Sequence, residues 1–159
     1  MPDYDDIRRL VRTASTRITE ITPEEARGRI AAGTLAIDVR DEEELLRNPP
    51  LAGAVNLSRG RLEYLITDAV SSKDTPIILY CAGGLRSVLA AESLQTLGYN
   101  QVAVLKGGLQ AWRNHAGQPW ITAASFFGTQ SSHQSLALEA TINALRDKPS
   151  RSLNVGRTV

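Results

Sequence analysis

Pro76-Ile77-Ile78-Leu79-Tyr80-Cys81-Ala82-Gly83-Gly84-Leu85-Arg86-Ser87 is the stretch whose reading decides the fold. Ile77 to Tyr80 are apolar without alternation, as in a strand covered on both faces. Gly83-Gly84 then turns the chain. A helix follows from about Arg86 to Leu97 and is closed by Gly98. Strand, tight loop and helix in series form the repeating unit of an α/β domain.

The same alternation continues on both sides. Upstream, Thr22-Pro23-Glu24-Glu25 is a complete helix start: Thr22 caps, Pro23 suits the first position and Glu25 can reach back. That helix runs to Ala32 and stops at Gly33. Leu35 to Val39 is a short buried strand. Asp41 and Glu44 form a second capping box, opening a short helix that Asn48-Pro49-Pro50 ends. Ala54 to Leu57 reads as a strand. Arg61 to Val70 reads as a helix with Leu62, Leu65, Ile66 and Val70 on one face. Downstream, Val102 to Leu105 is a strand and Gly107-Gly108 a turn. Leu109 to His115 is a helix with Trp112 inward, as core rather than as a ligand contact. The residues thus give four strands in a mostly parallel sheet with helices on both faces. Ligands of such sheets bind at the carboxyl ends of strands, where Cys81 lies.

The flanks differ from this middle. Residues 1–17 are polar, with Ile7, Leu10 and Val11 at helical spacing, which predicts a short surface helix docked on the domain. The domain signals begin at Ile18, and residues 18–120 are assigned to it. Residues 121–159 form an extension. Ser125 to Gln134 is polar apart from Phe126-Phe127, which suggests docking. Residues 134–146 could form a helix with Leu138, Ile142 and Leu145 as a stripe, followed by a frayed tail. The extension is a candidate for joining two subunits.

Bulk properties narrow the function. A chain of 159 residues suits one domain with an appendage. Its 18 basic and 17 acidic side chains leave a net charge of +1, which speaks against nucleic acid or an anionic membrane as main partner. Anion recognition must then be local. The single cysteine cannot form an internal disulfide, and a free thiol fits a reducing compartment. The acidic start, Met1 to Asp6, has no apolar signal region, and no stretch is apolar over a bilayer's length. A cytoplasmic location is expected, with no cofactor and no metal.

The Cys81 loop concentrates the chemistry. A thiol must be a thiolate to attack. Unpaired N–H groups and the positive dipole end at a helix start favour a negative charge there. Gly83 and Gly84 permit the dihedrals of an anion-binding nest, and Arg86 adds a cation with a planar donor fork. A lone cysteine is often only a small buried hydrophobe. The series of strand, Cys, two glycines, Arg and helix favours a nucleophile, with Ala82, Gly83, Gly84, Leu85 and Ser87 as its anion-binding loop and Ser87 capping or donating to it.

Ile37-Asp38-Val39-Arg40, Gly53-Ala54-Val55-Asn56-Leu57, the Cys81 to Ser87 loop and Leu105-Lys106-Gly107-Gly108-Leu109-Gln110-Ala111-Trp112 occur in this order. With them the chain, from about Ile18 to Trp120, resembles the rhodanese-like sulfurtransferases. The resemblance implies a single rhodanese-like domain around a five-stranded, mostly parallel sheet. It implies that Cys81 takes a sulfane sulfur from a small anionic donor, thiosulfate or a persulfide, and passes it to a thiol, cyanide or protein acceptor. No general base is required, and His115 and His133 are both distant in sequence. Four residues separate Cys81 from Arg86, as in the sulfurtransferases; related phosphatases carry one more. The family's common His-Ile-Pro-Gly-Ala segment reads Pro50-Leu51-Ala52-Gly53-Ala54 here, so its histidine is absent.

Supporting residues come from the same sheet edge. Asp38 and Arg40 either orient the Cys81 loop or donor, or pair with each other's neighbours and cap the next helix; for Arg40 the second reading is favoured. Arg59 and Arg61 either line the mouth and attract an anion or are solvated charges. The competing functions are a sulfur-carrier or protein-binding module without turnover, and, against the short loop and single cysteine, a phosphatase or arsenate reductase.

Overall fold

The computed structural model describes residues 4–116, and in them five strands form one sheet with six helices around it. The helices are α1 (Tyr4–Ser15), α2 (Pro23–Ala31), α3 (Glu42–Arg47), α4 (Leu62–Ala69), α5 (Leu85–Thr96) and α6 (Gly108–Ala116). The strands are β1 (Thr19–Ile21), β2 (Leu35–Asp38), β3 (Val55–Asn56), β4 (Ile77–Tyr80) and β5 (Val102–Leu105). Their order is β1-β5-β4-β2-β3, and every pairing is parallel. The extension at residues 121–159, with its expected helix at 134–146, Phe126-Phe127 and the subunit contact assigned to it, lies outside the described residues.

β4 is central because all four of its residues are buried and it has neighbours on both edges. Successive side chains of a strand point to opposite faces. Ile77, Leu79 and Cys81 accordingly enter one core, with Val11 and Ala14 of α1, Leu62 and Ile66 of α4, and Val88, Ala91 and Leu94 of α5. Ile78 and Tyr80 enter the other core, with Ala26 of α2 and Leu109 of α6; Trp112 is half-buried against it. Each fully buried Ile or Leu contributes about 1.5–3 kcal/mol, so this strand anchors both layers.

The expected helix boundaries hold to within a residue, and their caps explain why. The Glu25 N–H donates to Thr22 Oγ1 at 3.2 Å. The Asp41 N–H donates to Glu44 Oε2 at 3.1 Å. Gly33 and Gly98 take the positive φ values, 101° and 93°, that end α2 and α5. α1 docks as expected, but on a different face. Only Val11 of the three named apolar residues is buried, joined by Ala14, while Ile7 and Leu10 are exposed.

The fifth strand, β1, has no signature in the residue pattern. It is three residues long at the sheet edge, and only Ile21 is buried. One inward side chain cannot establish a period of two. At the segment that lacks the family's histidine, the turn closes by other means: the Leu51 N–H donates to the Tyr80 hydroxyl at 2.9 Å, and the Ala54 N–H to the Leu51 carbonyl at 3.0 Å.

Candidate active site

Cys81 follows the last residue of β4, at the carboxyl end of the central strand, and α5 begins four residues later. Its side chain is 1% exposed and belongs to the α5-side core. The sulfur is not surrounded by carbon alone. The Gly84 N–H donates to Cys81 Sγ at 3.1 Å, and Ser87 Oγ lies 3.6 Å from it. Ala82, Gly83 and Leu85 are exposed, so the sulfur lies buried beneath a surface loop.

Gly84 is what makes the loop close. It is the N-cap of α5 at φ 102°, a left-handed conformation that disfavours any residue with a Cβ. Gly83 differs from expectation: it has no positive φ, and a Cβ there would meet nothing within 4 Å. Only one of the two glycines is conformationally required.

The back of the loop is fixed by α6. The Leu109 N–H donates to the Cys81 carbonyl at 2.8 Å and the Gln110 N–H to the Ala82 carbonyl at 3.0 Å. In a trans peptide the N–H lies opposite the C=O, so this anchoring turns the Ala82 and Gly83 N–H groups away from α6. Gly108 permits the approach, since a Cβ on it would lie 2.5 Å from the Cys81 carbonyl oxygen. The first-turn N–H groups of α5 also lack helical acceptors. In the sequence Gly107-Gly108 is recognisable only as a turn; its position at the same sheet edge is the available signal that it backs the loop.

Ser87 holds the loop from inside. Its hydroxyl donates to the Gly84 carbonyl at 2.9 Å, which leaves a lone pair for the Cys81 thiol. Donating to a thiolate would require that proton to rotate off the carbonyl.

Arg86 requires a correction. Its fork does not hydrogen-bond the sulfur. Nη1 donates to Glu44 Oε2 at 2.6 Å and Nη2 to Oε1 at 2.8 Å, a bidentate pair with the capping-box glutamate of α3. The Glu44 hydrogen bonds hold Arg86 above its ordinary value, with the nearby Cys81 adding to the effect. The Arg86 hydrogen bonds also pull the Glu44 carboxyl down to about 2, against a burial effect that raises it. The sequence shows Glu44 only as a cap, because its partner lies 42 residues away.

Asp38 and Arg40 also differ from expectation. They pair with each other rather than with each other's neighbours, while Arg40 caps the next helix at its C-terminal end, as expected. Arg40 Nη2 donates to Asp38 Oδ2 at 2.7 Å and Nε to Oδ1 at 3.0 Å, with the side chains 1% and 0% exposed. Burial lowers the Arg40 value, but the hydrogen bonds and charge of Asp38 outweigh it, so the net direction is up. Nη1 donates to the Asn48 carbonyl at 2.9 Å, tying β2 to the end of α3. The pair is a buried strut.

Arg59 points down the α4–α5 seam, not at the mouth. It donates to Glu63 at 2.8 Å and to Ser93 at 3.0 Å. Ser93 is about 12 Å along α5 from its start. Arg61 is exposed at the N-cap of α4. Among the described residues, no cluster of His, Cys, Asp and Glu could hold a metal, and no helix is long and apolar enough to cross a membrane.

Known proteins resemble this chain in sequence and fold. The family model described as a Rhodanese-like domain matches residues 22–115. A thiosulfate sulfurtransferase, GlpE, of Stutzerimonas stutzeri is 32% identical over 99 residues, covering 62% of this chain and 88% of that protein. Among solved structures, a Rhodopseudomonas palustris protein of unknown function, described as a possible tyrosine phosphatase, is 31% identical with a TM-score of 0.65, covering 72% of this chain and 93% of that one. A thiosulfate sulfurtransferase from Pseudomonas aeruginosa is 39% identical with a TM-score of 0.56, covering 62% of this chain and 19% of that one.

Proposed function

Since the chain belongs to the rhodanese-like domain family, we propose that it is a sulfurtransferase whose Cys81 carries the sulfur as a persulfide. The observation that carries this reading is the Gly84 N–H directed at Cys81 Sγ at the start of α5. The Cys81 thiolate attacks the outer sulfur of thiosulfate. A new S–S bond forms, the donor's S–S bond breaks, and sulfite leaves with the electron pair. The terminal sulfur then carries the negative charge, which the loop N–H groups stabilise. Cyanide or a thiolate attacks that sulfur next and restores the Cys81 thiolate. Negative charge is never lost from the site, so no acid–base partner is needed. A free thiol that must stay reduced suits a cytoplasmic setting.

Formation of thiocyanate from thiosulfate and cyanide tests this. The wild type is expected to turn over and Cys81→Ala to fall to the uncatalysed level. Equal rates from the two would refute the reading.

The likeness to the Rhodopseudomonas protein, described as a possible tyrosine phosphatase, raises a phosphatase as second reading. Four residues between Cys81 and Arg86 give a narrow bowl, and Glu44 already fills the Arg86 fork that a phosphate would use. Release of phosphate from an aryl phosphate, lost in Cys81→Ala, would favour that reading.

A further inference from the structure

Building on the sulfurtransferase reading, we infer that Glu44 is a specificity-determining residue: by filling the Arg86 fork, it makes the Cys81 loop prefer donors with one negative charge over doubly charged thiosulfate. Both terminal nitrogens of Arg86 are bound by both oxygens of one carboxylate, at 2.6 and 2.8 Å. The carboxylate is also held from its own side, since the Asp41 N–H donates to it at 3.1 Å. Arg86 is the only cation in the sequence from Cys81 to Ser87. Its charge is therefore balanced in place.

Of the other arginines at this edge, Arg40 and Arg59 are paired, while Arg61 is exposed at the N-cap of α4. Arg40 is buried on Asp38 and the Asn48 carbonyl, and Arg59 binds Glu63 and Ser93. An incoming donor thus meets the neutral N–H groups of the loop and a pair of zero net charge. N–H donors and the helix start carry a partial positive charge, enough to favour one negative charge at the sulfur. A second charge on the same donor finds no unpaired cation within the loop itself and meets the carboxylate that already holds Arg86. Glu44 stays ionised across the physiological range, its carboxyl being pulled to about 2, so this balance persists.

The donor class that fits is a sulfane sulfur on a singly charged group, as in thiol persulfides, R–S–S⁻. The Cys81 thiolate attacks the terminal sulfur, the donor's S–S bond breaks, and R–S⁻ leaves with the electron pair. Atoms and charge balance, and no oxidant or reductant is required.

The test compares thiosulfate with methanethiosulfonate, a sulfane donor of similar size with one charge fewer, whose leaving group is methanesulfinate. Thiocyanate formation at saturating cyanide gives kcat/KM for each donor, with Cys81→Ala as the blank. Glu44→Gln removes the charge while keeping an oxygen for the Asp41 N–H. The thiosulfate-to-methanethiosulfonate ratio of kcat/KM is expected to rise about tenfold at low ionic strength, and by less at high salt. A ratio unchanged within about threefold would overturn the inference, including the case in which both donors slow together because Glu44 only positions Arg86. The ratio cancels any difference in folded fraction. If the wild type makes no thiocyanate from either donor, the sulfurtransferase reading falls and this inference with it. If it turns over and the ratio does not move, only this inference falls.

Discussion

Gly83 and Gly84 stand side by side in the loop and are used differently. Gly84 sits at φ 102° with its N–H on the Cys81 sulfur, and a Cβ there would lie 3.3 Å from the Gly107 nitrogen. Gly83 has an ordinary φ and open space around it. Gly84→Ala is therefore expected to cost about 1–2 kcal/mol of stability, while Gly83→Ala is expected to be neutral or to add about 0.5 kcal/mol by restricting the unfolded chain. Urea unfolding of the two variants checks this, and equal losses would contradict it. In the sequence the two glycines are indistinguishable, because their difference lies in backbone angles set by α6. The same holds for Arg86. Its residue type and place in the loop are legible, but the carboxylate that occupies it comes from another helix.

At the scale of elements, the caps are the most legible feature. Thr22 on Glu25 and Asp41 with Glu44 are local contacts, three residues apart, so the chain spells them out. β1 is not legible, since its place depends on pairing with β5 some 80 residues on and not on its own pattern. The Asp41–Glu44 box makes α3 more than a connector: through Glu44 it clamps the first turn of α5. This clamp has a pH signature. Glu44 is near 4.5 when unfolded and about 2 when folded, so the stability it supplies is present above pH 4.5 and is lost as pH falls toward 2. In that window the wild type is expected to lose stability more steeply than Glu44→Gln. Thermal midpoints measured across it check the difference, and parallel curves would contradict it.

For the whole molecule, alternating strands and helices make the α/β layering readable from the chain alone. Ile77 to Tyr80 mark the central strand because a strand covered on both faces is apolar throughout. The interior leaves less trace. The Asp38–Arg40 strut, the Gly108 approach to the Cys81 carbonyl and the tilt of α1 onto Val11 and Ala14 are agreements that depend on the folded chain. Together they hold one sulfur beneath a surface loop, at the end of the strand that both cores grip.

Intact mass spectrometry of the full chain after thiosulfate treatment, without reductant, tests that arrangement most directly. The account predicts a gain of one sulfur atom on the wild type, removed by cyanide and absent from Cys81→Ala. A wild-type mass that does not change, or an equal gain on Cys81→Ala, would contradict it.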